Sequence, residues 1–279
     1  MKTIVITGVT SGFGQEWLYE LDNQASCHFY ILARNANKYN QMCKEKPLKN
    51  KAELILCDFL SMESIHTAAQ IILTETHQVD VLINNAGLWA DPILSLSKDS
   101  IESTLAVNHI APFLLTGLLL PSLKNSDHAR IINTASFRHE DAVIDQNDIN
   151  LKNNFSAEQA YCNSKLYNIL FTKVLARKLD NTQITVNCFD PGIVDTPMLK
   201  KGMPSWLKFA YPLIKRVVAR HPKKGAETGI YLSVAEEAKQ QTGLYFNDKK
   251  PKKASNLAEQ VFMQNWLWEQ SVQLTNIDY

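Results

Sequence analysis

Seven short apolar runs punctuate this 279-residue chain, at residues 3–7, 28–33, 52–57, 79–84, 130–135, 182–190 and 244–246. Longer amphipathic stretches separate them, with helical patterns near 12–22, 61–76, 100–123, 157–179, 223–235 and 257–274. Parallel strands covered on both faces read as continuous hydrophobic runs, and Ile4-Val5-Ile6 and Val81-Leu82-Ile83 do so. This alternation predicts an α/β fold: a doubly wound, Rossmann-type domain with a mostly parallel seven-stranded sheet and helices on both faces. No repeat or low-complexity linker interrupts it, so residues 1–279 read as one domain.

Glycine use sharpens the picture. The chain has only 10 glycines, about half the usual share of roughly 7%. Three of them, Gly8, Gly12 and Gly14, fall between the first strand and the first helix, around Val9-Thr10-Ser11 and Phe13. A pyrophosphate needs close backbone approach and free N–H groups at a helix N-terminus, and side chains larger than glycine obstruct both. The spacing therefore predicts a dinucleotide turn. The second strand ends Leu32-Ala33-Arg34-Asn35, with no acid between His28 and Lys44. Sites that prefer NAD place a carboxylate there for the ribose 2′-hydroxyl, whereas a guanidinium fork suits a 2′-phosphate. NADP (NADPH) is favoured over NAD.

Tyr161 and Lys165 stand four apart within the helix expected at 157–179, on one face. A nearby ammonium stabilises a phenolate and should lower the tyrosine pKa. Such a tyrosine can pass a proton to or from a carbonyl oxygen. Ser136 follows the fifth strand and completes a candidate constellation.

With these residues in view, the sequence resembles the short-chain dehydrogenase/reductase family, from Thr3 to about Leu274. Thr7-Gly8-x-x-x-Gly12-x-Gly14 is similar to its cofactor turn, Asn84-Asn85-Ala86-Gly87 to its fourth-strand motif, and Cys57-Asp58-Phe59 to the segment whose aspartate contacts adenine. Asn108, Ser136, Tyr161 and Lys165 match its tetrad, and Pro191-Gly192, followed by Val194 and Thr196, its nicotinamide-side loop. Residues 1–190 would then hold the cofactor, and 191–279 the substrate loop and C-terminal part. The segments Leu105–His109, Phe113–Thr116, Arg130–Asn133 and Leu267–Ser271 resemble the retinol-dehydrogenase-like branch. The resemblance implies NADP-linked oxidoreduction of a small lipophilic carbonyl or alcohol, retinal-, aldehyde- or ketosteroid-like. Tyr161 would act as acid or base, Lys165 would hold the nicotinamide ribose, Ser136 would bind the substrate oxygen, and Asn108 would hold a water. A silent NADP-sensing protein, or a light-dependent protochlorophyllide-reductase-like enzyme, are the alternatives. One departure is Asp190, where the branch more often has histidine.

The 29 basic and 28 acidic residues leave a net charge of +1, which offers nothing to nucleic acid. Five scattered cysteines form no disulfide framework or metal pattern, and no metal site is expected. The longest apolar stretch, 110–123, is about 14 residues, short for a membrane span. The expectation is a cytoplasmic protein with no transmembrane anchor or signal peptide. Segment 203–219 reads as an apolar substrate lid, a peripheral membrane contact or plain core, and 249–253 as a solvated basic loop or a contact for an anionic partner. A homo-oligomer is compatible with the sequence.

Overall fold

The computed structural model describes residues 1–24, 26–202 and 219–279. Most of segment 203–219, the expected lid, lies outside the described residues. One sheet organises the rest, with strands β1 (Lys2–Thr7), β2 (Cys27–Ala33), β3 (Lys51–Leu56), β4 (Val81–Asn84), β5 (Arg130–Thr134), β6 (Thr185–Asp190), β7 (Tyr245–Asn247) and β8 (Lys250–Pro251). Their order is β3-β2-β1-β4-β5-β6-β7-β8. All neighbours pair in parallel except β7 with β8.

The sheet thus has eight strands rather than the expected seven. The added strand is two residues long, and it turns back through Asp248 and Lys249, both at positive φ. A two-residue hairpin turn of this hand matches strand twist. The basic run 249–253 is exposed, as expected of a solvated segment, and Lys249 is tethered within it: its N–H donates to the Thr228 hydroxyl and its ammonium pairs with Glu227.

Helices α1 (Gly12–Gln24), α2 (Ala36–Glu45) and α7 (Pro222–Val234) cover one face, packing Trp17, Leu18, Leu21 and Tyr39 on Ile4, Ile6, Phe29 and Ile31. The other face carries α3 (Met62–Glu75), α4 (Ser103–Lys124), α5 (Ala157–Lys178) and α9 (Val261–Thr275). Short helices α6 (Pro197–Gly202) and α8 (Asn256–Glu259) complete the described set. Helix α2 was not expected. Its sequence is mostly polar and buries only Tyr39 and Met42, too few apolar positions to show a period, and it depends on the Asn35 side chain accepting from Lys38 N–H at 3.0 Å. The C-terminal helix expected at 257–274 is two, because Gln260 is extended.

Helix α4 is longer than its apolar run implied. Its 22 residues are long and apolar enough to cross a membrane, yet 89% of that window is buried within the fold. Glu102 caps it, accepting from Thr104 and Leu105 N–H at 2.8 and 2.7 Å. A π turn, Ala106–Ile110, interrupts it, with Ala111 N–H reaching back to Ala106 O.

A buried polar chain sets these helices against the sheet. Asn84 and Asn133 sit side by side in the β4–β5 register, and Asn84 Nδ2 donates to Asn133 Oδ1 at 2.9 Å and to Thr116 Oγ1 of α4 at 3.2 Å. Asn133 Nδ2 donates to Thr172 Oγ1 of α5, which donates to Asn168 O. Buried polar groups are costly unless paired, so this chain fixes α4 and α5 in place along the sheet. Those two helices carry Asn108, Tyr161 and Lys165.

Candidate active site

In parallel register, the carboxyl ends of β1 to β6 lie along one edge. In sheets of this kind, ligands bind outside those ends, at the point where strand order reverses. Here the reversal falls between β1 and β4. Each sequence-predicted residue is found on or beside this edge: the glycine turn after β1, Arg34 and Asn35 after β2, Asp58 and Phe59 after β3, Asn85–Gly87 after β4, Ser136 after β5 and Pro191–Thr196 after β6.

The turn after β1 is constrained by backbone contacts. Gly8 has φ +73°, and a Cβ there would stand 2.7 Å from Ala86 Cα. A Cβ on Gly14 would stand 2.2 Å from Gly8 O. The cause is a clamp between β1 and β4. The Thr7 hydroxyl accepts from Asn85 and Ala86 N–H at 2.9 and 2.8 Å and donates to Ile83 O. Asn85 Nδ2 donates to Thr7 O and Gly8 O, and its Oδ1 accepts from Thr134 Oγ1. Glycine at 8 and 14 thus lets the β1 turn, the β4 loop and the start of α1 close into main-chain contact, forming a cradle at a helix N-terminus of the kind that fits a phosphate-bearing ligand. Thr10 is half-buried, and Ser11 is exposed.

The far side of the cradle comes from the loop after β6. The Thr196 methyl faces the Cβ position of Gly12, and Val194 faces that of Gly225 together with Phe13. Arg220 N–H donates to Ile193 O and its carbonyl accepts from Asp195 N–H, while its guanidinium pairs with Asp248. At the other end, Arg34 and Asn35 are exposed, and Arg34 makes no ion pair among the described residues. Asp58 Oδ1 accepts from Leu60 N–H, and Phe59 packs on the core beside it.

Tyr161 and Lys165 follow the helical spacing of α5, and Lys165 Nζ lies 5.4 Å from the Tyr161 ring centroid. Lys165 is buried and donates to Thr134 O at 3.1 Å, a carbonyl that also accepts from Asn168 Nδ2 at 3.0 Å. Burial pushes its pKa down to about 8, and the Asp190 charge partly opposes this. The Tyr161 phenol is held above its ordinary range, first by burial and then by Asp190, against a hydrogen bond from Ser136 that favours the phenolate. Spacing alone led us to expect a lowered value. The direction reverses because burial penalises the phenolate more than the hydrogen bond stabilises it.

Asn108 sits in the π turn, fully buried. Its Oδ1 accepts from Leu88 N–H at 2.6 Å, and both Nδ2 hydrogens are used, on Leu88 O and Ser164 Oγ. It therefore pins the chain that follows Gly87 to α5.

Two groups were underread from sequence. Asp190 was noted only as a departure, yet its buried carboxylate accepts from Gly192 N–H at 2.9 Å, Asn247 Nδ2 at 3.2 Å and Phe137 N–H. It ties the residue after Ser136 to the Pro191-Gly192 loop and to β7. Trp89, just beyond the Asn84–Gly87 motif, stacks on Tyr161, with centroids 4.3 Å apart and planes at 25°. An aromatic residue two positions past that motif was the available signal. His139 is structural: Nδ1 bonds Ser136 O, and Nε2 accepts from Ser255 N–H. His109 is buried against Ser271.

The sequence model of the short chain dehydrogenase family matches residues 2–205. Human retinol dehydrogenase 13 is 32% identical over 284 residues, covering 99% of this chain and 85% of that protein. Human retinol dehydrogenase 12 is 34% identical over 279 residues, covering 99% and 87%. Among solved structures, an uncharacterized protein from Mycobacterium Paratuberculosis superimposes with a TM-score of 0.82 at 26% identity, covering 100% of this chain and 95% of that one. An actinorhodin polyketide ketoreductase variant with NADPH gives 0.69 at 25% identity, covering 88% and 95%. With its sheet order, its glycine cradle and these relatives, the chain belongs to the short-chain dehydrogenase/reductase family of oxidoreductases, on the retinol-dehydrogenase-like branch.

Proposed function

We propose that this protein is an NADP(H)-dependent oxidoreductase that moves hydride between nicotinamide and a lipophilic carbonyl or alcohol, with Tyr161 as general acid/base. The observation that carries the reading is Tyr161 with the buried Lys165 Nζ 5.4 Å from its ring centroid, next to a turn whose main chain closes up only because Gly8 and Gly14 carry no side chain.

Bound in the cradle, the dinucleotide supplies hydride chemistry. The turn Gly8–Gly14 would hold its phosphates, and the exposed Arg34 guanidinium, with Asn35, would take the 2′-phosphate. Asp58 and Phe59 would border the adenine, and Val194 and Thr196 would close over the nicotinamide side. Ser136 would donate to the substrate oxygen as negative charge develops there, a stabilisation specific to the transition state. The protonated phenol then gives its proton to that oxygen. A phenol held above its ordinary pKa rests protonated at physiological pH, the form from which carbonyl reduction starts, whereas alcohol oxidation needs the phenolate. Lys165, with a pKa near 8, would return a proton to the phenolate.

The test is NADPH or NADH oxidation in the dark with retinal, medium-chain aldehydes and ketosteroids. Tyr161→Phe should lower kcat by about 10²- to 10⁴-fold, the usual worth of a positioned acid. A variant matching wild type overturns the mechanism, and equal use of NADH overturns the role of Arg34. Cofactor binding with no turnover of any carbonyl would favour a silent sensor.

A further inference from the structure

One face of the Tyr161 ring is covered by a residue to which no role has been given. The Trp89 indole lies over it, 4.3 Å between centroids and 25° from parallel, a favourable offset stack. Three separate restraints hold the indole there. Leu88, its neighbour, is clamped at both N–H and C=O by Asn108. Ala90, on its other side, is buried. Asp91 forms a 3.0 Å ion pair with Lys201 of α6, across the mouth between the β4 and β6 loops. Trp89 itself is only half-buried, so part of the indole remains free. The exposed side chains of Ile93 and Leu96 continue the same loop.

The two rings are stacked nearly parallel and in contact, so the half-exposed indole borders whatever is bonded to the phenol. A carbonyl oxygen bonded to the Tyr161 Oη brings its own substituents past the indole. We propose that Trp89 is a specificity-determining residue: its indole is the shelf on which the group attached to the reacting carbonyl rests, and it selects flat, aryl-type substituents over puckered saturated ones of equal size. A flat π system can lie along the part of the indole that Tyr161 leaves uncovered, whereas a saturated ring touches it at a few hydrogens. The inference rests on Tyr161 as the proton donor described above.

The experiment compares benzaldehyde with cyclohexanecarbaldehyde, which differ in flatness and hardly in size. Turnover with NADPH is measured on the full chain, and equilibrium binding of each aldehyde to the enzyme–NADP⁺ complex is measured by calorimetry. Dividing the benzaldehyde/cyclohexanecarbaldehyde ratio of wild type by that of a variant cancels intrinsic reactivity. Trp89→Leu and Trp89→Met should each lower the ratio by about three- to tenfold, the worth of one aromatic contact. The loss should fall on KM rather than kcat, and Trp89→Phe should keep most of the preference. NADPH affinity should not change in any of the three. An unchanged ratio in Trp89→Leu or Trp89→Met overturns the proposal, as does wild type binding neither aldehyde. If wild type binds both aldehydes but turns over neither, the acid–base reading of Tyr161 fails, while the binding ratio still decides the place of Trp89.

Discussion

The two halves of the site are built from different materials. The cofactor side is made of main chain: Gly8 and Gly14 let β1, α1 and the start of the β4 loop approach to near contact, and the Thr7 and Asn85 hydrogen bonds lock that approach. The reaction side is made of side chains, the half-buried Tyr161 with the buried Ser136, Lys165 and Asp190, whose protonation depends on burial and on one another. A cradle of backbone fails by steric conflict and is indifferent to pH. A cluster of buried ionisable groups carries a standing cost in stability, and its behaviour follows pH.

The largest test of this contrast is Gly14→Ala. A Cβ 2.2 Å from Gly8 O forces the main chain apart, at a cost of about 3 kcal/mol or more on the scale of overpacking. Thermal melting should show a lowered Tm at every pH and no further rise on adding NADPH. A Tm that still responds to NADPH would mean that the cradle tolerates a side chain, and the contrast would be lost.

On the other side, Lys165→Met should remove activity and raise stability. The lysine pKa falls from 10.5 to about 8 because the fold holds a buried ammonium, which corresponds to about 3 kcal/mol of destabilisation at neutral pH. Thr134 O keeps its bond from Asn168, so the variant leaves no orphaned carbonyl. The sign with pH follows from proton counts. Between about pH 8 and the free-lysine value near 10.4, the unfolded chain binds a proton that the folded chain does not. The wild type therefore gains stability as pH rises through that window and carries the full penalty below it. Denaturant melts should show the gap between the variant and wild type closing from pH 8 to 10.5. A gap constant with pH would remove Lys165 from the account.

The smallest effect belongs to the rim of the cradle. Asn35→Ala removes the cap of α2 and should cost about 1 kcal/mol, independently of pH and without changing kcat. A change in kcat would blur the line between the two halves.

What could be read from sequence divides along the same line. The glycine turn and the Tyr161/Lys165 pair are local patterns, fixed by one turn and by one helical period, and both stand where they were expected. The order of elements was also legible, since buried parallel strands are continuous apolar runs. Helix α2 was hidden by its polar composition, and β8 by its two-residue length. The Asp190 network joins residues up to 57 positions apart, and the Trp89 stack spans α5 and the β4 loop. No spacing rule reaches across such distances. The raised pKa of Tyr161 was missed for a related reason, because burial depends on the whole fold whereas Lys165 lies four residues away.

The π turn of α4 has a consequence for how this chain can vary in length. Each residue of an α-helix advances about 100° around its axis, and a π turn is in effect one residue inserted into that sequence of steps. Upstream of it, the Glu102 cap anchors α4; within it, Asn108 reaches Leu88 and Ser164; downstream, Thr116 meets Asn84 and Leu119 fills the core. Deleting one residue from 106 to 110 would let a regular helix join the same two ends in the same phase, since the five residues of the π turn wind about as far as four of an α-helix. The Glu102 cap and the Thr116 contact would keep their places, and what would be lost is the bulge from which Asn108 reaches Leu88 and Ser164. The helix can thus lose the one residue that makes its bulge without unseating its ends, whereas a deletion elsewhere in α4 would turn them apart by about 100°.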